Sequence, residues 1–388
     1  MDKKKRQKRK YCAECFLNSD IFGVNINNNG LCQECVASKK GSKLQERYKS
    51  LVLKAEKRFS IAKKKNSIYD VLVMFSGGKD SAYLLHLLKN KYQLNPLAFC
   101  VSVPFLSCKQ LSNITEISRK LKVDLIKFVV EQEMYLEYIK FGLSNFGKQS
   151  KENNLNYFGC SLCRYIINIV SYNFALRLGI PIIAAGIDKN QSTGPVIDID
   201  NKRNKLKKKY EFFGRAFNKR FRREHNKDIY RFNVDAFTDD QLPDLIYPFT
   251  FFEYSDDLAF NSLSEVGIKK NILNSGKGKC CTMAYYFIYL SYKINNNHSH
   301  IKILSRKIRK GQKMRFGRAV MRDKKEIEEY LNHEKAALFY LASNQRKDIN
   351  YEKFNKMFPM ITKKDCKEMV DIYNYLGYFK DAKFQKDF

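Results

Sequence analysis

The stretch VLVMFSGGKDSAYLLHLLK, residues 71–89, decides how the rest of the chain is read. Five mostly apolar residues run into Ser76-Gly77-Gly78-Lys79-Asp80-Ser81, and an amphipathic run follows. The first run has the length of a buried strand, and the periodicity of SAYLLHLLKNKY behind the turn predicts a helix. Two glycines let the backbone turn tightly and bring N–H groups close to a ligand. The turn opens a helix, whose first amides and dipole attract an anion. Lys79 adds a mobile positive charge, and Ser76 and Ser81 add hydroxyl donors. Together these predict a phosphate site at the carboxyl end of a parallel strand, where open α/β sheets bind their ligands. The spacing is neither G-x-x-x-x-G-K-S/T nor G-x-G-x-x-G, so this is not a Walker A loop or a dinucleotide fingerprint.

Outward from that turn the pattern alternates. PLAFCVSV and DLIKFVV read as strands, with KQLSNITEISRKL as a helix between them. SLCRYIINIVSYNFALRLG reads as a long helix and IPIIAAG as the strand after it. Alternating buried strands and helices predict an α/β fold, a doubly wound parallel sheet covered on both faces. Residues 42–66 carry apolar residues at helical spacing and many lysines, and predict a helix leading into that sheet. The expected organisation is a basic tail and cysteine knuckle at 1–48 and a helical linker at 49–66. An α/β domain at 67–325 and a helical region at 326–388 follow.

Lys and Arg number 72 against 40 Asp and Glu, a formal net charge of +32. A field of that sign attracts polyanions, nucleic acid foremost. The basic residues cluster: residues 1–10 form a basic tail, a solvated terminus or a nucleic-acid arm. Residues 202–223 of a basic insertion at 202–235 hold 11 Lys or Arg against one Glu, with Phe and Tyr interleaved. That mixture fits either a solvated insertion or an RNA-facing element whose aromatics stack on bases. A hydrophobic content of 44% is ample for a core, and no apolar run approaches the ~20 residues needed to span a bilayer. The basic N-terminus has no apolar segment behind it, so the expectation is a cytoplasmic protein.

The 11 cysteines are partly paired. Cys12/Cys15 and Cys32/Cys35 are C-x-x-C pairs with sixteen residues between them, and the intervening NNNG is turn chemistry. Four thiolates so placed suit a closed, structural Zn²⁺ site, a zinc ribbon. Cys160 and Cys163 lie one turn apart where the long helix begins, and Cys280 and Cys281 follow much later. A helix N-terminus lowers a thiol pKa. By residue type alone these cysteines suit an iron–sulfur cluster, an iron-free sulfur relay, a second zinc site or buried thiols. Cys100, Cys108 and Cys366 read as core or incidental, and none of the five histidines has a ligand-like arrangement.

Phe75-Ser76-Gly77-Gly78-Lys79-Asp80-Ser81 resembles the PP-loop of the N-type ATP pyrophosphatases, of the HUP-like adenine nucleotide alpha hydrolase superfamily. The resemblance covers residues 67–195 well and the rest loosely. It implies that Ser76, Gly77, Gly78, Lys79 and Ser81 bind the phosphates of ATP. Asp80 is then the carboxylate near Mg²⁺, with Lys79 and Asp80 both serving the reaction. Such enzymes adenylate a substrate oxygen, release pyrophosphate, and let a nucleophile displace AMP.

Within that superfamily the chain is similar to two branches. Cys160 and Cys163, with Cys280 or Cys281, resemble the three thiolates that hold a 4Fe–4S cluster in tRNA thiolation enzymes of cytidine and wobble uridine. The wobble-uridine branch also carries an N-terminal double knuckle. In those enzymes the cysteine pair precedes a strand that ends in Gly-His and an acidic pair. Here the positions are Gly186, Ile187 and a single acid, Asp188, and CVSVPFLSC lacks the acid often found after the second strand. Gly186 and Asp188 are still the residues placed to contact nucleotide. The other branch is the N-acetyl-sugar amidotransferases of surface polysaccharide and flagellin pathways. It is matched at CAEC through GLCQEC, at KYQLNPLAF and at NITEISRKLKVDLIKF. Ile308-Arg309-Lys310-Gly311 resembles a segment of PAPS-reductase-like proteins.

The resemblance therefore implies an ATP-dependent sulfurtransferase acting on a carbonyl oxygen, most readily of a tRNA base. A cysteine desulfurase would be its sulfur donor. The alternatives are a sugar amidotransferase fed by a glutaminase, and a nucleotide-sensing nucleic-acid-binding protein. A homodimer is compatible with each.

Overall fold

The computed structural model describes residues 10–138, 158–207 and 230–269, apart from a few positions within those ranges, with 273, 305, 309, 314–316 and 319–321. Contacts divide the chain into two compact units. One comprises Met1–Ser42, Ile139–Cys160 and Met283–Phe388; the other comprises Lys43–Tyr138 and Ser161–Thr282. In chain order the elements begin with α1 (Gln33–Ser38), α2 (Ser42–Lys64), β1 (Val71–Met74), α3 (Lys79–Asn90) and β2 (Pro96–Ser102). Next come α4 (Cys108–Leu121), β3 (Leu125–Val129), α5 (Phe158–Arg177), β4 (Ile182–Ala185) and β5 (Val196–Asp198). The remainder are β6 (Asp244–Tyr247), α6 (Asp256–Glu265) and an antiparallel pair, β7 (Met314–Phe316) with β8 (Ala319–Met321).

The second unit is built on one six-stranded sheet in the order β3-β2-β1-β4-β6-β5. Every neighbouring pair is parallel except β5 with β6. β1, β2, β4 and β6 are almost wholly buried, as expected of strands covered on both faces. β3 and β5 lie at the edges and are half-exposed. The order reverses at β1, which has β2 on one side and β4 on the other. A crevice at the carboxyl end of the strands opens at such a reversal. The loop 76–78 leaves β1 at that place.

Helices cover the sheet because their apolar stripes have nowhere else to go. α3 buries Ala82, Leu84, Leu85 and Leu88, and α2 buries Ala55, Phe59 and Ala62 in the same core as Val71, Val73, Ala98 and Ile246. Phe59 meets Tyr92 edge-on with ring centroids 5.0 Å apart. α2 is also tied by charge. Asp244, at the head of β6 and 1% exposed, accepts from Arg58 Nε at 2.5 Å and Lys202 Nζ at 3.1 Å.

That buried pair revises the reading of the basic insertion. Lys202 is not on a polyanion-facing surface; it is buried and also donates to the Leu242 carbonyl. Arg203 and Lys207 pair with Asp235, and Lys205 pairs with Asp198. Residues 208–229 and the expected C-terminal helical region 326–388 lie outside the described residues, as do Cys280, Cys281 and Cys366. The strands β5 and β6 are not signalled in the sequence: β5 is three residues long and half-exposed, and β6 opens on the charged Asp244.

Candidate functional site: the switch-point loop and a four-cysteine knuckle

The loop after β1 turns through Gly77, at φ +72°, a conformation that favours glycine. α3 then starts at Lys79, two residues before the helix predicted from its apolar pattern, so Lys79 and Asp80 stand in its first turn. Its N-cap is Gly78, and no side chain caps the helix. The first amides and the dipole of α3 are thus left for an anion. The serines divide the work. Ser81 is 4% exposed, donates to the Gly78 carbonyl at 3.1 Å and accepts from the Ser76 amide at 3.3 Å, so it braces the turn from inside. Ser76 Oγ lies 3.2 Å from Ser81 Oγ at the more open side of the loop.

Gly186 ends β4 against this turn. A Cβ there would lie 2.7 Å from the Asp80 carbonyl carbon and 2.8 Å from the Ser81 amide nitrogen. Close packing of a strand end on a helix start requires glycine at that position.

Lys79 gathers the charges of the site. Its Nζ donates to Asp80 Oδ1 at 2.5 Å, to Asp256 Oδ1 at 2.6 Å and to the Tyr254 hydroxyl at 2.5 Å. The Tyr254 hydroxyl in turn donates to Asp80 Oδ1. Burial lowers the Lys79 pKa, but the Asp80 and Asp256 carboxylates outweigh it and the net shift is upward, so the ammonium stays charged. Burial and the Asp80 charge push the Tyr254 phenol well above its ordinary range, with smaller effects from Asp256 and Asp188. Lys189, beside Asp188, has its Nζ 4.5 Å from the centroid of the Tyr48 ring, and burial lowers its pKa against the pull of Glu253. Tyr254 and Asp256 were not found from the sequence. Ser255 caps α6 by accepting from Leu258 N at 3.1 Å, and the run Ser255-Asp256-Asp257 does signal a helix start. Nothing local in that run shows that the helix packs on α3.

Mg²⁺ is the ion the resemblance implies here. Among the described residues no carboxylate cage of three groups exists. None is needed, since Mg²⁺ is commonly held by one or two carboxylates together with substrate phosphates. Asp80 fits that part.

α5 begins at Phe158, so Cys160 and Cys163 both lie in its first turns. The Cys160 side chain is outside the described residues. Cys163 is half-buried, and its Sγ shares a hydrogen bond of 2.5 Å with the Tyr135 hydroxyl. Cys100 is a core thiol, pushed up to about 11 by burial.

The knuckle in the first unit closes as its spacing predicts. Bridges pair Tyr11 with Asn18 and Ile26 with Cys32, and Gly30, at φ +72°, completes the turn from Asn27. Asn27 Oδ1 accepts from the Leu31 amide at 2.9 Å, and Ala13 N donates to the Gly30 carbonyl at 2.8 Å. Cys12, Cys15, Cys32 and Cys35 are all 0% exposed, and their sulfurs lie within 4.8 Å of one another. Cys12 and Cys35 sulfurs are 3.7 Å apart, and those of Cys15 and Cys32 are 3.5 Å apart. Tetrahedral Zn–S bonds of about 2.3 Å place sulfurs about 3.8 Å apart, so the donor set fits Zn²⁺. Burial works against thiolate at Cys12, but amides of Cys32, Cys15 and Glu14 outweigh it and hold Cys12 at about 7. Burial pushes Cys15 up to about 12, and burial and its sulfur neighbours push Cys35 up as well. A dication among them removes that penalty.

No family model matches the chain. An uncharacterized protein of Methanocaldococcus jannaschii is 31% identical over 116 residues, 30% of this chain, which thereby spans 41% of that relative's length. Among solved structures the chain is similar to an NMN synthetase from Francisella tularensis, with 10% identity over 70% of this chain and 98% of that one and a TM-score of 0.34. It is also similar to the U34-tRNA thiolase NcsA from Methanococcus maripaludis with its 4Fe–4S cluster. There the identity is 13% over 68% of this chain and 80% of that one, with a TM-score of 0.31. The third is an NH₃-dependent NAD synthetase from Campylobacter jejuni in complex with nitrate, with 14% identity over 69% and 93% of the two chains and a TM-score of 0.33. The strand order of this chain reverses at β1, and the glycine turn stands at that switch point.

Proposed function

We propose that the chain is an ATP-dependent adenylating enzyme that replaces a carbonyl oxygen of its substrate with sulfur. The observation that carries the ATP reading is Lys79, in the first turn of an uncapped helix beside a left-handed glycine at the switch point. The loop amides and Lys79 would hold the β- and γ-phosphates, while Asp80 would face Mg²⁺, which neutralises the leaving pyrophosphate. Lys79 would exchange the Asp80 and Asp256 carboxylates for phosphate oxygens as ATP arrives. The substrate carbonyl oxygen attacks the α-phosphorus, and the bond to the bridging oxygen breaks with release of pyrophosphate. A sulfur nucleophile then displaces AMP, which leaves with the former carbonyl oxygen.

Cys163, held by the Tyr135 hydroxyl, supports the choice of sulfur. With Cys160 and Cys280 or Cys281 it would hold a 4Fe–4S cluster. In a relay, one of Cys160 and Cys163 would carry the sulfur as a persulfide and the other would release it as hydrosulfide, leaving a disulfide for an external thiol to reduce. The net charge of +32 supports tRNA as the class of substrate.

The test is iron, zinc and labile sulfide in anaerobically purified protein, alongside Cys160→Ala and Cys163→Ala. About four irons lost in both variants while zinc stays would support the cluster. ATP-dependent thiolation of tRNA that fails in both variants without iron would support the relay. Ammonia-dependent pyrophosphate release on an amino sugar, unchanged in both variants, would replace this reading with the amidotransferase.

A further inference from the structure

Arg309 is the residue of the first unit that neither the loop nor the cysteine spacing explains. It lies 294 residues beyond Cys15, yet its Nη1 donates to Cys15 Sγ at 3.1 Å. Its Nη2 donates to the Glu34 carboxylate, next to the ligand Cys35. The Arg309 side chain is 7% exposed. A guanidinium is not buried against a thiol cluster without charge to meet it. Four thiolates around a dication leave a net negative charge, and the planar fork of arginine can serve a sulfur and a carboxylate at once.

We propose that Arg309 is the charge partner of the four-cysteine metal site, fixed by Glu34, so that metal binding at Cys12–Cys35 and seating of Arg309 stabilise one another. A ligand thiolate that accepts a fixed N–H keeps its orientation and carries less charge onto the metal, and losing such a partner commonly costs 10- to 100-fold in metal affinity. The inference concerns the knuckle alone and does not depend on the ATP chemistry.

The test uses the full chain loaded with one zinc. Its release into excess 4-(2-pyridylazo)resorcinol is timed for the wild type and for Arg309→Met, Arg309→Lys and Glu34→Gln. Release should be roughly 10- to 100-fold faster in Arg309→Met, and part of the loss should be recovered in Arg309→Lys. Glu34→Gln, which keeps the arginine and loosens its anchor, should fall between. In the cobalt-substituted protein the sulfur-to-metal charge-transfer band should shift in Arg309→Met and hardly at all in Glu34→Gln. If Arg309→Met does not fold, Glu34→Gln decides. Wild-type release from Glu34→Gln in that case, or from both variants where both fold, would overturn the proposal.

Discussion

The four-cysteine knuckle and the switch-point loop both set charged atoms around a turn, but they are assembled differently. In the knuckle all four thiols come from Cys12 to Cys35, and the bonds that close it, such as Leu31 N to Asn27 Oδ1, are local. In the loop the backbone turn is local, while Tyr254 and Asp256, which fix Lys79 and Asp80, stand 174 to 177 residues away. A locally closed site depends on its own ligand atoms. A switch-point site depends on a sheet that keeps distant elements in register. Damage to the sheet should therefore reach the loop and spare the metal.

The largest expected effect is at Lys79. Lys79→Ala should lower kcat/KM for pyrophosphate release by about 10²- to 10³-fold, the scale seen when one donor to a developing charge is lost, with zinc content unchanged. An unchanged rate would remove the loop from the chemistry. Next is Asp244→Ala, which leaves Arg58 and the buried Lys202 without their carboxylate. It should cost about 3–5 kcal/mol in urea unfolding, again with one zinc retained. Loss of zinc in step with that destabilisation would break the contrast between the two sites.

Gly186→Ala sharpens it further. The added Cβ must displace the first turn of α3, at a cost of about 1–3 kcal/mol, and ATP affinity should fall with it. Normal ATP affinity in that variant would show that the strand end does not govern the loop. The smallest effect belongs to the exposed pair of Lys54 with Asp200, 2.7 Å apart. Asp200→Asn should change stability by less than about 1 kcal/mol. Its sign with pH is fixed, because Lys54 holds the Asp200 carboxyl below its ordinary range. The contribution is full above the unfolded carboxylate pKa and is lost as pH falls through the folded one. The two proteins should thus converge in acid.

The sequence shows the parts of this molecule whose cause is local. The alternation from β1 through β4 is legible because each strand is an apolar run bounded by turn residues, and the knuckle is legible because the ligand spacing is its own evidence. β6 is not legible because it opens on Asp244, whose charge marks it as polar and is compensated only in the fold, from α2 and from Lys202. The same pairing explains why counting lysines misplaced Lys202. Ser81, which reads as a phosphate donor, also braces the turn, its hydroxyl donating to the Gly78 carbonyl. Tyr254, Asp256 and Arg309 carry no local mark of what they touch; packing of α6 on α3 brings the first two to Lys79.

The central claim is that ATP is held at the turn after β1 and cleaved between its α- and β-phosphates. The most direct measurement is calorimetric titration of Mg–ATP into the wild type and Lys79→Ala, followed by separation of the nucleotide products formed with tRNA and a sulfide source. Binding in the wild type, lost or weakened at least tenfold in Lys79→Ala, with AMP and pyrophosphate as products, is the expected result. Equal binding in both proteins, or ADP and phosphate as products, would contradict it.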